Sequence, residues 1–488
     1  MSPSIRRPDL RTGPARLVTI GVFYVLTPVL LALYTQRGAL TLEGLSFAVA
    51  YALPFVLLAW WGHLSLNGKP AYPSLPWLVL TCWLVYVEPS MIIISADSEA
   101  VFDFDDSGVF WGRIFFLIWL WLCAAIIGRA ANRSVQWNLH RPEYIVLSAI
   151  SLVLFWAAFT TGHLISYMGL DVPTAGSTTS IVTLLALTFL RVMVGVHSLA
   201  LFTGVTRGSV AATFLLVTLL FTFVSASRSL LISSIMLLVA VLRFTEARPT
   251  VRLLGTGAGV AVALLLLVVV YRNQMASDSE AFWSRPFAAM ASSSDVVAQT
   301  RENLAIRWSH GPQFFAVVSN YLSRGAAWSD TWKEGVIGAL PTFIVPDKAV
   351  RANEHALEFN LVATGRFPFV DLTPMPWLHA VFDYGVIGLA VCACFFGFAL
   401  RWLDRAMAAA RPVTWARWLV LTSVFSVLAL PETKLDTIVV ALREPIFIAA
   451  LLAIGARVFR PVRSAPVRRR PVMTPQLFEQ PGSSPLQP

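Results

Sequence analysis

The residue whose placement is hardest to explain as packing is Arg228, which sits with Ser225, Ser227 and Ser229 in a short turn between two apolar runs. An arginine facing hydrocarbon costs about 2 to 3 kcal/mol, so this guanidinium is expected to face a polar cleft. Its planar fork of donors matches phosphate oxygens and keeps its charge in a partly dry site. The competing reading is an interfacial arginine that snorkels to the membrane surface. Arg272, preceded by Tyr271 at the end of another apolar run, reaches the same boundary and the same cleft in this reading, although helix-end arginines also serve as simple anchors. Arg443 and Glu444 precede Pro445 about two turns inside the last apolar run, where a proline frees a carbonyl and requires protein or water beside it. The alternative there is a structural Arg–Glu pair. Glu88, followed by Pro89, and Arg191 are further charges inside apolar runs, with no partner legible in the sequence.

The elements that must position these groups are long apolar segments. Counting about 20 apolar residues per bilayer crossing, twelve spans are predicted, starting near Leu17, Gly44, Leu75, Val109, Tyr144, Ser180, Val210, Ser229, Leu253, Trp377, Trp415 and Asp436. Basic residues collect in every second connection. Arg6, Arg7, Arg11 and Arg16, Lys69, Arg129, Arg133 and Arg141, Arg207, Arg243, Arg248 and Arg252, Arg401, Arg405 and Arg411, together with the tail, hold more than half of the 37 Lys and Arg. The short alternate connections hold only Arg37, Arg228 and Lys434, and one of them carries the acidic run Asp97 to Asp106. The positive-inside rule then predicts cytoplasmic termini. The expected organisation is a cytoplasmic tail over residues 1–16, nine transmembrane helices over 17–271, one large outer-face loop over 272–376, three helices over 377–460 and a disordered cytoplasmic tail over 461–488.

Composition excludes a soluble fold. The chain is 57% hydrophobic and 13% charged, with 17 Trp, more apolar surface than one or two cores could hide. The expected class is an all-α polytopic integral membrane protein. Its net charge of +10 is assigned to arginines flanking helices, which orient the chain and meet anionic lipid, and not to nucleic-acid binding. Cys82, Cys123, Cys392 and Cys394 all fall within predicted spans, so they read as small core residues without disulfide or zinc spacing. No cleavable signal peptide is expected, and no internal repeat or matched pair of broken helices points to an inverted-repeat transporter.

The outer segment alone has a soluble-like composition. It carries Arg272, Arg285, Arg301, Arg307, Arg324, Lys333, Lys348, Arg351 and Arg366 beside Trp283, Trp308, Trp328 and Trp332. Apolar spacing predicts a helix from about Ser294 to Leu322, and prolines punctuate the rest. Long loops cross the membrane regardless of charge, which accounts for these cations without function. The functional reading is an anionic ligand at the outer surface, with aromatic rings suited to sugars.

At this point the chain resembles a family. The serine-flanked Arg228 turn, Tyr271 and Arg272, the segment Gly338 to Lys348 with Pro341 and Pro346, and the re-entry Asp371 to Gly388 with His379, Asp383, Tyr384 and Gly385 are similar to bacterial oligosaccharide repeat-unit polymerases, the Wzy class. The likeness covers residues 210–400 and the general layout of about a dozen spans with a large outer loop before the last few. It implies transfer between sugars carried on polyprenyl pyrophosphate, a bacterial inner-membrane location, and a chain-length regulator and a repeat-unit flippase as partners. Arg228, Arg272, Arg443, Lys348 and Arg351 are then the expected pyrophosphate-binding residues.

Such a reaction needs a stabilised leaving pyrophosphate and a base for the attacking hydroxyl. Arginines supply the first without a metal, and no cofactor is expected. His379 is the candidate base, because an imidazole takes and returns a proton near neutral pH, and Asp383 at i+4 lies on the same helical face, where it can orient the ring. The pattern usually has a carboxylate at the position of His379; the histidine brings the chain nearer to O-antigen ligases, the first alternative. A polysaccharide transporter or flippase is the second, disfavoured because few spans carry polar lining. Asp103, Asp105 and Asp106 could hold a divalent cation, but acidic runs are usually just solvated.

Overall fold

The computed structural model describes residues 14–35, 38–60, 75–94, 102–128, 137–138, 141–160, 178–224, 234–238, 241, 310–328, 331–340, 344–347, 354, 359, 361, 375–407, 413–429, 438–439, 442, 445–446 and 449–450. Among them the fold is helical apart from one two-residue strand pair. The helices are α1 Pro14–Thr35, α2 Leu42–Trp60, α3 Leu75–Ile92, α4 Asp106–Ile127, α5 Arg141–Thr160, α6 Thr178–Thr203, α7 Gly208–Val224, α8 His310–Arg324, α9 Thr331–Ala339, α10 Pro376–Met407 and α11 Trp415–Leu428. Four helices, α3, α4, α5 and α10, are long and apolar enough to cross a bilayer. Helices begin within a few residues of nine of the predicted span starts. The predicted ninth span lies outside the described residues, and only fragments of the eighth and twelfth are described.

Local chemistry sets the helix ends. Asp105, in extended backbone, caps α4 by accepting the Gly108 N–H at 2.8 Å, and Gly128 closes the helix with a left-handed φ of 52° and a bond from its N–H to the Ala124 carbonyl. Hydroxyls within the apolar helices are absorbed by their own backbone: Ser148, Ser198, Thr218, Thr222 and Thr422 each donate to the carbonyl one turn earlier. Their donors are therefore satisfied without a partner on another helix.

The core is aromatic. Trp119 lies 4.3 Å from Trp377 and 5.4 Å from Trp83 between ring centroids, and the Trp83 indole donates to the Ala429 carbonyl at 3.0 Å. At the far end of the bundle the α4–α5 and α10–α11 connections meet as parallel strands β1 (Trp137–Asn138) and β2 (Val413–Thr414). Arg401 of α10 donates there to the Ile126 carbonyl at 2.9 Å, neutralising the C-terminal end of α4.

Two features depart from a plain row of spans. The helix predicted from about Ser294 to Leu322 is described from His310 to Arg324, and its first nine residues are buried against α3, α4 and α10. Gly108 and Gly112 on α4 make room for it, since a Cβ on Gly108 would overlap Ser319 and one on Gly112 would come within 2.6 Å of the Phe315 ring. The Gly311 N–H donates to Ser90 Oγ at 2.9 Å, docking the start of α8 against the end of α3.

The second departure is in α10, which is not one rod from Trp377. Tyr384 (φ −133°, ψ 15°) and Gly385 (φ 59°, ψ −141°) leave helical geometry. A Cβ on Gly388 would overlap the Ala380 carbonyl, although residues eight apart in a straight helix are separated by about 12 Å. The chain therefore doubles back. Residues 376–383 form a short arm whose Trp377 lies at the depth of Trp119, and residues 386–407 form the long helix of about 33 Å that follows.

Candidate functional site

The short arm carries both candidate catalytic side chains. His379 is 2% exposed and Asp383 is fully buried, four residues apart on a helical arm and hence on one face of it. The His379 ring stacks on Phe359 of the outer segment, with centroids 4.4 Å apart and planes 21° from parallel, and Phe359 also meets Phe382 edge-on at 5.2 Å. The imidazole is thus roofed by an aromatic ring and not open to the surface.

The reversal that ends the arm frees backbone carbonyls that a continuous helix would use. Phe382 and Asp383 accept the N–H groups of Ala327 at 2.9 Å and Trp328 at 2.8 Å, from the segment that follows α8. The Tyr321 ring fills the space beside Gly385 that any Cβ would need, and Trp328 packs edge-on to Tyr384 at 5.9 Å. The outer segment thus fixes the arm through backbone bonds and ring packing, and the Gly385 and Gly388 of the sequence motif are the residues that permit the turn.

At the end of α3 is a buried charge that sequence reasoning missed. Arg113, buried in α4, forms an ion pair with Glu43 at 2.7 Å and donates through Nε to the Met91 carbonyl at 2.8 Å and through Nη2 to that of Ile92 at 3.5 Å. Phe47 and Phe315 flank its guanidinium at 5.6 and 6.0 Å. It satisfies the last carbonyls of α3, at the level where α8 enters. Glu88, one turn earlier, is fully buried, and its carboxyl oxygens have no hydrogen-bond partner among the described residues. The side chain of Arg191 lies outside what is described.

Arg228, Arg272, Lys348, Arg351 and Arg443 all lie outside the described residues. His379 and Asp383 are therefore the candidates for which a geometry exists.

The acidic run has a structural role at Asp105. Ser319 donates to Asp105 Oδ1 at 2.6 Å, and the Asp105 N–H donates back to Ser319 Oγ at 3.2 Å, tying α8 to the cap of α4. The Ser319 bond first, and the Gly108 N–H second, hold this carboxyl below its ordinary range. Because the native carboxyl keeps its charge to lower pH than the unfolded one, the stabilisation is complete above the unfolded value and disappears as pH falls through the lowered native value. Asp105→Ala is therefore expected to destabilise detergent-purified protein at neutral pH by about 0.5–2 kcal/mol, the cost of a lost N-cap, read as a lower melting temperature. The difference from wild type should shrink as pH falls through the native carboxyl's range. Among the described residues no three His, Cys, Asp or Glu converge to hold a metal ion.

The arrangement offers a proton acceptor and a carboxyl on one face of a helical arm, held beneath the surface by an inserted segment. No family model matches the chain, and no curated protein or solved structure matches it either.

Proposed function

We propose that the chain is a membrane glycosyltransferase that joins oligosaccharide repeat units carried on polyprenyl pyrophosphate, at the outer face of a bacterial inner membrane. The observation that carries this reading is the short arm bearing His379 and Asp383, folded back into the bundle at the end where arginine is scarce in the short connections. A lipid-linked substrate presents its sugar at that depth while its tail stays in the bilayer. In the reaction, a hydroxyl oxygen of the acceptor sugar forms a bond to the donor's anomeric carbon, and the bond from that carbon to the pyrophosphate oxygen breaks. The electron pair leaves with the polyprenyl pyrophosphate, whose charge Arg228 and Arg272 stabilise. The hydroxyl proton passes to the His379 imidazole, which Asp383 orients.

The test is polymerisation in vesicles with purified protein and a lipid-linked repeat unit. A ladder of products supports the reading, and its absence with active substrate overturns it. Transfer to a lipid A core acceptor instead would make the protein a ligase.

Two further outcomes are expected. A reporter fused near Ala326 should read outside, with fusions to both tails and to the connection Arg401 to Arg411 reading inside; a cytoplasmic signal at Ala326 would relocate the site. Arg228→Lys keeps the charge but loses the bidentate fork, so it should impair polymer formation severely, as should Arg272→Ala. Wild-type polymer from both variants at normal abundance would remove the phosphate assignment.

A further inference from the structure

The long helix of α10 shows one stripe to the outside of the bundle. Ile387, Val391, Phe398 and Trp402 are exposed, at spacings that place them on one side of a helix. In a bilayer that side faces lipid. Near the top of the same stripe, the hairpin borders an open cavity of about 390 Å³, walled by Ala380 from the short arm, Tyr384 from the turn, and Ile387, Gly388, Val391 and Cys392 from the long helix. Gly388 lets the arms touch at the Ala380 carbonyl, and the small side chains at Ala380 and Cys392 leave the gap beside that contact. Its lining is mostly apolar, so water gains little there, and hydrocarbon entering from the bilayer is the occupant that the walls favour.

The mouth has a second peculiarity. Trp328 borders the cavity, is 70% exposed, and is the one non-glycine among the described residues with a positive φ, 53°. A left-handed tryptophan carries strain that persists only where its surroundings impose it. Here the bond from its N–H to the Asp383 carbonyl and the contact with Tyr384 impose it. The strain holds an amphipathic ring at the rim, the usual place of tryptophan where hydrocarbon gives way to headgroups. The groove runs along the face of the arm that carries Ala380, next to the face that carries His379 and Asp383, neither of which lines it.

We propose that this groove receives the first isoprene units of the polyisoprenyl carrier, entering sideways from the bilayer, with Trp328 at the junction of tail and pyrophosphate. The inference rests on the glycosyltransferase reading for the identity of the carrier. It is tested on full-length protein in nanodiscs of phosphatidylethanolamine and phosphatidylglycerol, with a polyisoprenyl monophosphate bearing a photoreactive diazirine near its phosphate end. Photolysis should label peptides containing Trp328 or residues 380–392, and unlabelled polyisoprenyl phosphate should compete. Val391→Trp, built from an exposed position into the groove, should lower labelling about tenfold, the effect of losing contact with roughly two methylene groups. Ile387→Trp provides a second blocking variant.

Labelling confined to other peptides, labelling unchanged in both variants, or equal competition by added phospholipid, which would make it a general acyl-chain groove, overturns the proposal. The readout does not depend on turnover. Polymer formation by a protein whose groove takes no label would remove the groove and keep the transferase. Specific labelling of a protein that makes no polymer would do the reverse.

Discussion

His379→Ala is expected to abolish repeat-unit polymerisation while leaving lipid-linked substrate binding largely intact. A general base acts in the transition state and is worth about 10²–10⁴-fold in rate, so the loss should fall on turnover and not on apparent affinity. His379→Glu restores a carboxylate at a position where the resembled pattern carries one, and should recover part of the activity. The assay is polymer formation by purified protein with no added metal and a chelator present. Full activity of His379→Ala would remove the imidazole from the mechanism. Loss of wild-type activity on chelation would return attention to Asp103 and Asp106, and to Asp105 beyond its role as a cap. The stacking of Phe359 on the imidazole adds a discriminating control. Phe359→Leu keeps an apolar roof and should alter rate far less than removal of the histidine.

Gly385→Ala should be strongly damaging. Its backbone, at φ 59° and ψ −141°, lies where side chains are strongly disfavoured, and a Cβ there would overlap the Tyr321 ring. Strain and overpacking together are expected to cost about 2–5 kcal/mol. Because the same turn frees the carbonyls that hold Ala327 and Trp328, its failure should release the outer segment from the arm as well. The expected result is a lowered melting temperature in detergent and reduced protein in the membrane, measured by fluorescence-detected gel filtration. Tyr321→Ala combined with Gly385→Ala should recover the part due to overlap and not the part due to backbone strain. A single Gly385→Ala variant that melts with wild type would contradict the hairpin.

Helix positions were legible because the length of an apolar run encodes them directly, and nine helices begin where those runs begin. The direction of the chain inside a run is not encoded that way. The stretch from Trp377 onward reads as apolar whether it crosses or doubles back, and only Gly385 and Gly388 hinted at the turn. The residues from His310 onward were legible as an amphipathic helix, but that pattern does not say whether the partner is solvent-side protein or the bundle interior; the answer lies in Gly108 and Gly112, far away in sequence. Arg113 was missed for the same reason. Its partners are the carbonyls of Met91 and Ile92 and a carboxylate 70 residues earlier, none of which marks the sequence near it. His379 was singled out by the resemblance and Asp383 joined to it by i+4 spacing, whereas Phe359 and Trp328, which meet the arm at His379 and at the Asp383 carbonyl, come from the outer segment and carry no local signature.

The glycine notch on α4 also sets an order of assembly. Asp105 and its partner Ser319 are 214 residues apart, so α4 enters the membrane long before the helix that fills its notch has been translated. At about 5–20 residues per second the delay is roughly 10–40 s. During that interval the amino-terminal half of the newborn protein stands in the bilayer with a vacant slot beside Gly108 and Gly112. That face of α4 is completed only when the late-arriving helix brings Phe315 and Ser319 against it.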